Sequence, residues 1–447
     1  MNRGYFFLWI VLLGFPLLGS AQQIYTLEQC MLIGLQNHIE VKIKSLQIKA
    51  HQSAETTLVS RFLPDVSARI NHFYNFGSTI NPQTNARESS NIQSDNISLD
   101  AGIDLFNFEQ FQTAKITKIQ TAIAVADKAV VDQEFTTLLI QRYTEALAAQ
   151  ELQKVIEDQL GNTKEQLHRI QQEAADGAKP ESDVYDIQVL FTQEQKLLLQ
   201  AQQDMHNKKE LLCQLMNKDA LSAQDIQLVQ DEFGIKPPSE RIQWEQHPMI
   251  VKESLNGVKL QQEYRSLLHH YLPVLRLNYS YGTFYAASIE QVFDTSFRFG
   301  SQLRDNKSQY LGLNLSVPIY SKGDVNRLRR RKNVDILQQQ EVLLKKELEL
   351  NNEWQNQERK YKQCIQLETV LQNAAFYAAK SYEATRVKYE FGKIDISAYK
   401  IAKNQLLSAK YDVLNNQLSR WMADKMMQNL MTDRFIALGE VEHKVLK

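Results

Sequence analysis

The spacing of apolar positions switches between a helical and a strand period, and the chain runs through the same succession twice. From Thr26 to about Arg61, Leu27, Met31, Leu35, Val41, Leu46 and Ile48 follow a helical spacing, with Thr26 and Gln29 placed as a capping box. Leu63-Pro64 ends this helix, because proline disfavours helical backbone in the residue before it. The period then drops to two. Val66, Ala68, Ile70, His72, Tyr74 and Phe76 alternate with Ser67, Arg69, Asn71, Phe73 and Asn75. After a polar segment from Gly77 to Asp95, Ile97, Leu99, Ala101, Ile103 and Leu105 alternate with Ser98, Asp100, Gly102 and Asp104. Two strands of about ten residues, each with one apolar face, have the length of a transmembrane barrel hairpin, and equally of half a soluble sheet. From Phe108 to Ala175 the helical period returns, with Ile119, Ile123, Ala126, Val130, Gln133, Thr137, Ile140, Thr144 and Leu147 stepping by 4 and 3. Asp176-Gly177-Ala178-Lys179-Pro180 breaks it, the glycine suiting a helix end and the proline a helix start.

The second half repeats the order. Gln246-His247-Pro248 opens a helix as Asn37-His38 does, and Leu272-Pro273 ends it as Leu63-Pro64 does, at an offset of 209 residues. Leu275, Leu277, Tyr279 and Tyr281 alternate with Arg276, Asn278 and Ser280, and Leu311, Leu313, Leu315 and Val317 with Gly312, Asn314 and Ser316. Ile319-Tyr320-Ser321 stands where Leu105-Phe106-Asn107 stood, now at an offset of 214. The proline-free stretch from Ser321 to Phe391 carries a heptad seam through Leu371, Ala375, Ala378, Tyr382, Thr385 and Tyr389. At about 1.5 Å per residue it predicts a helix on the order of 100 Å long. It breaks at Phe391-Gly392, and a last helix runs on to about Met431, aligning Tyr399 with Tyr185. The expected divisions are a first repeat, 22–239, and a second, 240–447. The first holds a strand hairpin 65–106, a long helix 108–175, a return helix 181–217 and a connector 218–239. The second holds a hairpin 274–320, a long helix 321–391, a return helix 395–431 and a C-terminal tail.

Composition narrows the function. Lys plus Arg is 51 and Asp plus Glu is 52, so no charge excess points to nucleic acid. Residues 1–21 read as a signal peptide, with Arg3, an apolar run from Tyr5 to Leu18 and the small residues Gly19-Ser20-Ala21. No later run reaches ~18 apolar residues, so no second membrane helix is expected. Cys30, Cys213 and Cys364 are odd in number and widely spaced, and read as buried small hydrophobes rather than a disulfide or metal set. His38, His51, His247 and His269-His270 lack metal-ligand spacing, and there is neither a phosphate loop nor a GxSxG. The chain is therefore expected to be no enzyme, with no cofactor and no metal.

The residues that place the chain are Thr26-Leu27-Glu28-Gln29-Cys30 with Asn37-His38, and Phe62-Leu63-Pro64 and Tyr271-Leu272-Pro273 ahead of the strands. Leu315-Ser316-Val317-Pro318-Ile319-Tyr320 and the turns at Gly177 and Gly392 complete them. None is specific alone, but in this duplicated order the sequence resembles the TolC-like outer-membrane efflux proteins over essentially the whole mature chain. The resemblance implies a mainly α fold with a membrane β-barrel. A homotrimer would share a 12-stranded barrel, four strands per protomer, continuous with a long coiled-coil α-helical barrel and an equatorial belt at the connector and tail. It also implies a cell outer-membrane location spanning into the periplasm, and a passive exit duct for tripartite efflux or type I secretion. Its partners would be a periplasmic adaptor, an inner-membrane RND or ABC transporter and outer-membrane lipid, with no nucleic acid. The physics agrees, since an open-edged hairpin cannot sit in lipid and four strands per chain demand closure by oligomerisation. Apolar alternate residues would face lipid, and Asp100, Asp104, Arg276 and Asn278 the lumen.

By the same resemblance Asp183, Tyr389 and Asp395 are candidates for a periplasmic gate, and Gly177 and Gly392 for adaptor-contacting tips. Asp183 reads equally as a carboxylate at a helix start, Tyr389 as a seam aromatic, and the glycines as turn residues by necessity. Ile394 stands where the family has a basic residue, and Ser397 where it has one of its pore aspartates. The basic run Arg327, Arg329, Arg330, Arg331 and Lys332 reads as a solvated helix face, with anionic headgroups as a second reading. An alternative for the whole chain is a periplasmic coiled-coil structural or adaptor protein with a small soluble β-domain.

Overall fold

The computed structural model describes residues 23–55, 60, 63–80, 85–89, 91–218, 226–230, 244–289 and 299–431. The expected signal peptide, Phe62, most of the connector and the C-terminal tail lie outside the described residues. In chain order the elements are β1 (Gln23–Tyr25), α1 (Leu27–Asn37), α2 (Ile39–Ser53), β2 (Asp65–Asn75), β3 (Ser78–Ile80), β4 (Arg87–Ser89), β5 (Ile92–Phe106), α3 (Phe108–Ala175) and α4 (Glu181–Leu215). There follow β6 (Ile226–Leu228), α5 (Pro248–Ser266), a 3-10 turn (Leu267–Tyr271), β7 (Val274–Ser288), α6 (Phe299–Asp305), β8 (Ser308–Ser316), α7 (Asp324–Glu390) and α8 (Ile396–Met431). Two compact units result, one of residues 1–43, 129–243 and 349–433, the other of 44–128, 244–348 and 434–447.

The expected helix from Thr26 to Arg61 is two helices. Thr26 caps α1 as its spacing predicts, its hydroxyl accepting from the Gln29 amide at 3.3 Å while the Gln29 side chain accepts from the Thr26 amide at 3.1 Å. The break is His38, whose backbone is extended at φ −61°, ψ 127° and whose ring lies 4.5 Å from that of Phe135. The expected single helix overran this break, although Asn37-His38 stands where Gln246-His247 opens α5 in the second half, with the same extended backbone at the histidine. Helix α2 stops at Ser53. The 68-residue α3 tolerates its many threonines because Thr117, Thr136, Thr137 and Thr144 each donate to the carbonyl four residues back.

In the second unit β2, β5, β7 and β8 form one antiparallel sheet in that order. Register sorts the side chains, because residues directly opposite share a face. Val66, Ala101, Tyr279 and Leu311 lie in one row, and Ser67, Asp100, Ser280 and Tyr310 in the next. One face is thus apolar and open: Val66 is 60% exposed, Ile70 76%, Leu311 70% and Leu313 63%. The other is polar and laced together. Ser280 and Ser98 donate to Asp100 at 2.7 and 2.9 Å, and Arg276 bridges Asp104 at 3.0 Å and Asp65 at 2.7 Å. Gly102 makes that bridge possible, since a Cβ there would fall inside the Arg276 guanidinium. Strand β5 begins at Ile92, five residues before the apolar alternation starts at Ile97. After the buried Ile92, Gln93 to Asn96 are polar on both faces, and on the otherwise apolar face His72 pairs with Asp95. Strands β2 and β8 each keep one edge unpaired among the described residues.

The first unit has a core centred on Tyr143, Leu147, Leu212, Cys213, Trp421 and Leu27. The short parallel pair β1 and β6 closes over it. Its backbone is held by side chains, with the Gln150 amide group bonded to Leu228 N at 3.1 Å and Leu228 O at 2.9 Å, and Lys209 donating to Ile226 O at 2.7 Å. Burial lowers the Lys209 pKa. Cys30, Cys213 and Cys364 are buried and form no disulfide with one another. No helix of the described residues is long and apolar enough to cross a membrane, which says nothing of the sheet.

An arginine on the apolar face of the sheet tests its surroundings. Leu313→Arg should cost about 2–4 kcal/mol at a lipid-facing strand midpoint and abolish recovery in the membrane fraction. The same substitution on a water-facing sheet would leave yield unchanged, as sedimentation and immunoblotting of the variant would show.

Candidate functional site at the hairpin turns

Helices α3 and α4 form one hairpin, α7 and α8 another, and their turns lie in the first unit. Both turns are built alike. Gly177 (φ +70°) donates to Ala174 O at 3.0 Å while Ala178 donates to Glu173 O at 2.8 Å. Gly392 (φ +68°) donates to Tyr389 O at 3.0 Å while Lys393 donates to Lys388 O at 2.9 Å. The left-handed residue turns the chain and satisfies the last helical carbonyls, which is why glycine stands there. This hydrogen-bond register spaces the two hairpins by 215 residues, one more than the strand exits do. Tyr399 therefore corresponds to Val184, not to Tyr185: Tyr399 and Val184 pack in one cluster, whereas Tyr185 is 65% exposed.

The start of each return helix is capped differently. Helix α4 begins after Pro180 without a side-chain cap, and Asp183 lies in its first turn. Asp395 caps α8, its carboxylate accepting from the Ala398 amide at 3.0 Å. Asp395 therefore has a structural task of its own, and among the described residues it forms no hydrogen bond or ion pair with Asp183 or Tyr389.

The structure brings Asp183 and Tyr389 close but joins them through a third residue. Lys179 places its ammonium 3.8 Å from the Asp183 carboxylate, 4.0 Å from Glu173 and 4.9 Å from the centre of the Tyr389 ring. Tyr389 is buried, and its hydroxyl has no hydrogen-bond partner among the described residues. Burial first, then the negative charges of Asp183 and Asp186, push its pKa up to about 12. Its ring stacks on Tyr399 at 5.0 Å, and the Tyr399 hydroxyl meets that of Tyr382 at 3.0 Å. Ile394 packs against this cluster and is an apolar residue in an apolar place, while Ser397 is exposed.

Two polar ties bind the hairpins. Glu390 meets Arg169 at 2.9 Å and Gln166 at 3.0 Å, joining α7 to α3. Deeper, Lys403 and Glu194 form an ion pair at 2.8 Å with both side chains under a tenth exposed, and Gln159 and Thr163 also bond to the carboxylate. Burial lowers the Lys403 pKa against the opposing pull of Glu194. Neither Lys179 nor this pair was singled out by the sequence reading. Lys179 sits inside a turn motif, and Glu194 and Lys403 are 209 residues apart with no periodic signal linking them. Among the described residues no cluster of His, Cys, Asp and Glu suited to a metal ion is formed.

A profile of the outer membrane efflux protein family matches residues 35–218. The resemblance to that family is borne out. No curated protein sequence matches the chain significantly. Among solved structures, the Campylobacter jejuni CmeC outer membrane channel aligns with a TM-score of 0.73 at 15% identity, covering 94% of this chain and 90% of that one. The Vibrio cholerae outer membrane protein VceC gives 0.69 at 13% identity over 91% and 95%, and the Neisseria gonorrhoeae MtrE outer membrane channel in its open state 0.68 at 13% over 91% and 88%. At these identities the structures show a common fold. The profile match and the shared fold together support a channel of efflux systems in the outer membrane, spanning into the periplasm.

Two variants test the side chains at the hairpin turns. Lys403→Met leaves Glu194 buried and unpaired and should cost about 3–5 kcal/mol. The double variant Lys403→Met with Glu194→Leu should recover most of it, read as loss of helical circular dichroism on heating. Tyr389→Phe removes an unpaired buried hydroxyl and should lie within about 1 kcal/mol of wild type at neutral pH. The raised pKa makes the sign definite. Below pH 10.0 both states keep the proton and stability is intact; from 10.0 towards about 12 only the unfolded phenol ionises, so stability falls. The melting-temperature gap between Phe variant and wild type should therefore widen in favour of the variant across that window.

Proposed function

We propose that the chain is one protomer of a trimeric exit duct in the outer membrane. Two repeats, 22–239 and 240–447, would each give two strands, so that three chains close a 12-stranded barrel. The observation that carries this is the sheet of β2, β5, β7 and β8, with an exposed apolar stripe on one face, an ion-paired polar face on the other and, among the described residues, an unpaired edge at each end. Lipid on the apolar side leaves no water for those edges, so only strands of further copies can pair them. The polar face, with Arg276, Asp104, Asp65 and Asp100, then lines the lumen. Cargo passes without covalent chemistry, driven by an inner-membrane RND or ABC transporter of efflux or type I secretion and coupled through a periplasmic adaptor that meets the turns at Gly177 and Gly392.

The closed state is held at the hairpin turns. Lys179 links Asp183 to the Tyr389 ring and so fastens the α3–α4 turn to the foot of α7. Opening separates the hairpins, and the contacts to break near the turns are the one between Lys179 and the Tyr389 ring and the part-exposed Arg169–Glu390 pair, each worth about 1 kcal/mol. The Glu194–Lys403 pair above it remains the pivot. Such a latch yields to a partner while the hairpin bodies stay folded.

The test is planar-bilayer conductance of the detergent-purified oligomer. Wild type should be a trimer by light scattering with small, rarely open channels. Lys179→Met together with Asp183→Asn should raise open probability several-fold without lowering the melting temperature. Recovery of wild type as a soluble monomer would favour the periplasmic adaptor alternative and sink the duct. A trimer whose conductance ignores the two substitutions would remove the latch and leave the duct standing.

A further inference from the structure

The foot of β8 leads into a segment that the duct reading alone does not explain. Beyond Ser316 the outward apolar stripe of Leu311, Leu313 and Leu315 continues to Ile319, which is 90% exposed, and Tyr320 follows at 82%. A tight turn with Lys322 and Gly323 at positive φ (53° and 74°) then starts α7. Arg327, Arg330 and Arg331 are spaced three and four apart on its first turns and are exposed, as is Lys322.

The two other basic residues of the run are used inside the unit. Arg329 donates to the Tyr264 hydroxyl at 2.8 Å with its guanidinium 4.8 Å from that ring, and Lys332 pairs with Glu263 at 2.9 Å. They fasten α7 to α5. Arg327 meets only its helix neighbour Asp324, at 2.8 Å, and neither Arg330 nor Arg331 forms an ion pair among the described residues. The cluster does not belong to the repeat either. At an offset of 214 the first repeat has Phe108, Thr113, Ile116 and Thr117 in these four places.

The succession along the chain is an exposed apolar stripe, then an exposed aromatic, then exposed cations of which only Arg327 has a carboxylate partner among the described residues. Crossing from hydrocarbon through the interface to the headgroup phosphates, a membrane offers partners in the same order. The geometry points to Ile319, Tyr320, Lys322, Arg327, Arg330 and Arg331 as a binding surface for the anionic phospholipid headgroups of the leaflet in which the sheet ends. The inference rests on the outer-membrane reading. Strand pairing at the β8 edge runs through the backbone and leaves the outward face uncovered, so the surface persists when the barrel closes. Its role is to fix the height and tilt of one strand pair per protomer at the bilayer edge.

The experiment compares the full-length wild type with a fourfold variant, Lys322→Gln, Arg327→Gln, Arg330→Gln and Arg331→Gln, both purified from outer membranes in one detergent. Phosphatidylglycerol or phosphatidylethanolamine of the same chains is added, and bound lipids are counted by native mass spectrometry. Wild type should retain phosphatidylglycerol several-fold over phosphatidylethanolamine, and the variant should bind both equally while staying oligomeric. A charge-keeping variant, with Lys at the three arginine positions, should retain most of the preference. An unchanged preference in the fourfold variant overturns the inference. So does loss of the oligomer with lipid preference intact, which would assign the cations to a second copy of the chain. Wild type in the outer membrane without any preference overturns this inference alone, whereas a soluble wild type removes the duct reading with it.

Discussion

A sheet with one apolar face exposed and, among the described residues, both edges unpaired would have to be completed from outside once lipid covers that face. Each open strand presents backbone donors and acceptors that cost several kcal/mol apiece if buried without partners. Along β2 and β8 that requirement outweighs any side-chain preference. It explains why the polar face is so densely bridged. Arg276, reaching from Asp104 across Gly102 to Asp65, ties three of the four strands together before any further strand arrives. The sheet is ordered within one chain and still unfinished.

The helical hairpins answer a different demand. Their contacts combine a small apolar cluster around Tyr389 and Tyr399 with two ionic ties, Arg169–Glu390 and Glu194–Lys403. A buried ion pair adds little net stability but strongly penalises every misaligned register, because a shift of one turn leaves a charge alone in the core. Nearer the turns the hairpins meet through Lys179 over the Tyr389 ring and through the part-exposed Arg169–Glu390 pair, both cheap to lose. Stiffness in the hairpin bodies thus rests on a buried ion pair, and the fastening at their ends on weaker contacts.

The sequence was most readable where one physical signal dominated. Strand alternation held where one face was apolar, from Val66 to Ile70 and from Leu311 to Leu315, and the turn glycines were forced by positive φ. It failed where the signal is not periodic. The break at His38 shows only in its match to His247 at the start of α5, and the three-residue strands β1 and β6 are too short to show a period. Helix α6 falls in a polar loop whose composition gave no helical face. At the candidate site the residue types were visible but their partners were not. Asp183 and Tyr389 were in view as a pair, and Lys179, which touches both, was hidden in its turn.

The two turns share one backbone and differ in what they carry. Tyr389 on one hairpin corresponds to Ala174 on the other, and Tyr399 to Val184. In a threefold ring the six turns would present a sixfold outline in their main chain and only threefold symmetry in their chemistry. A partner reading shape alone could seat in two rotational settings, sixty degrees apart, whereas one reading side chains would be confined to one. Divergence of the halves thereby supplies an index mark, which a ring of six identical hairpins would lack.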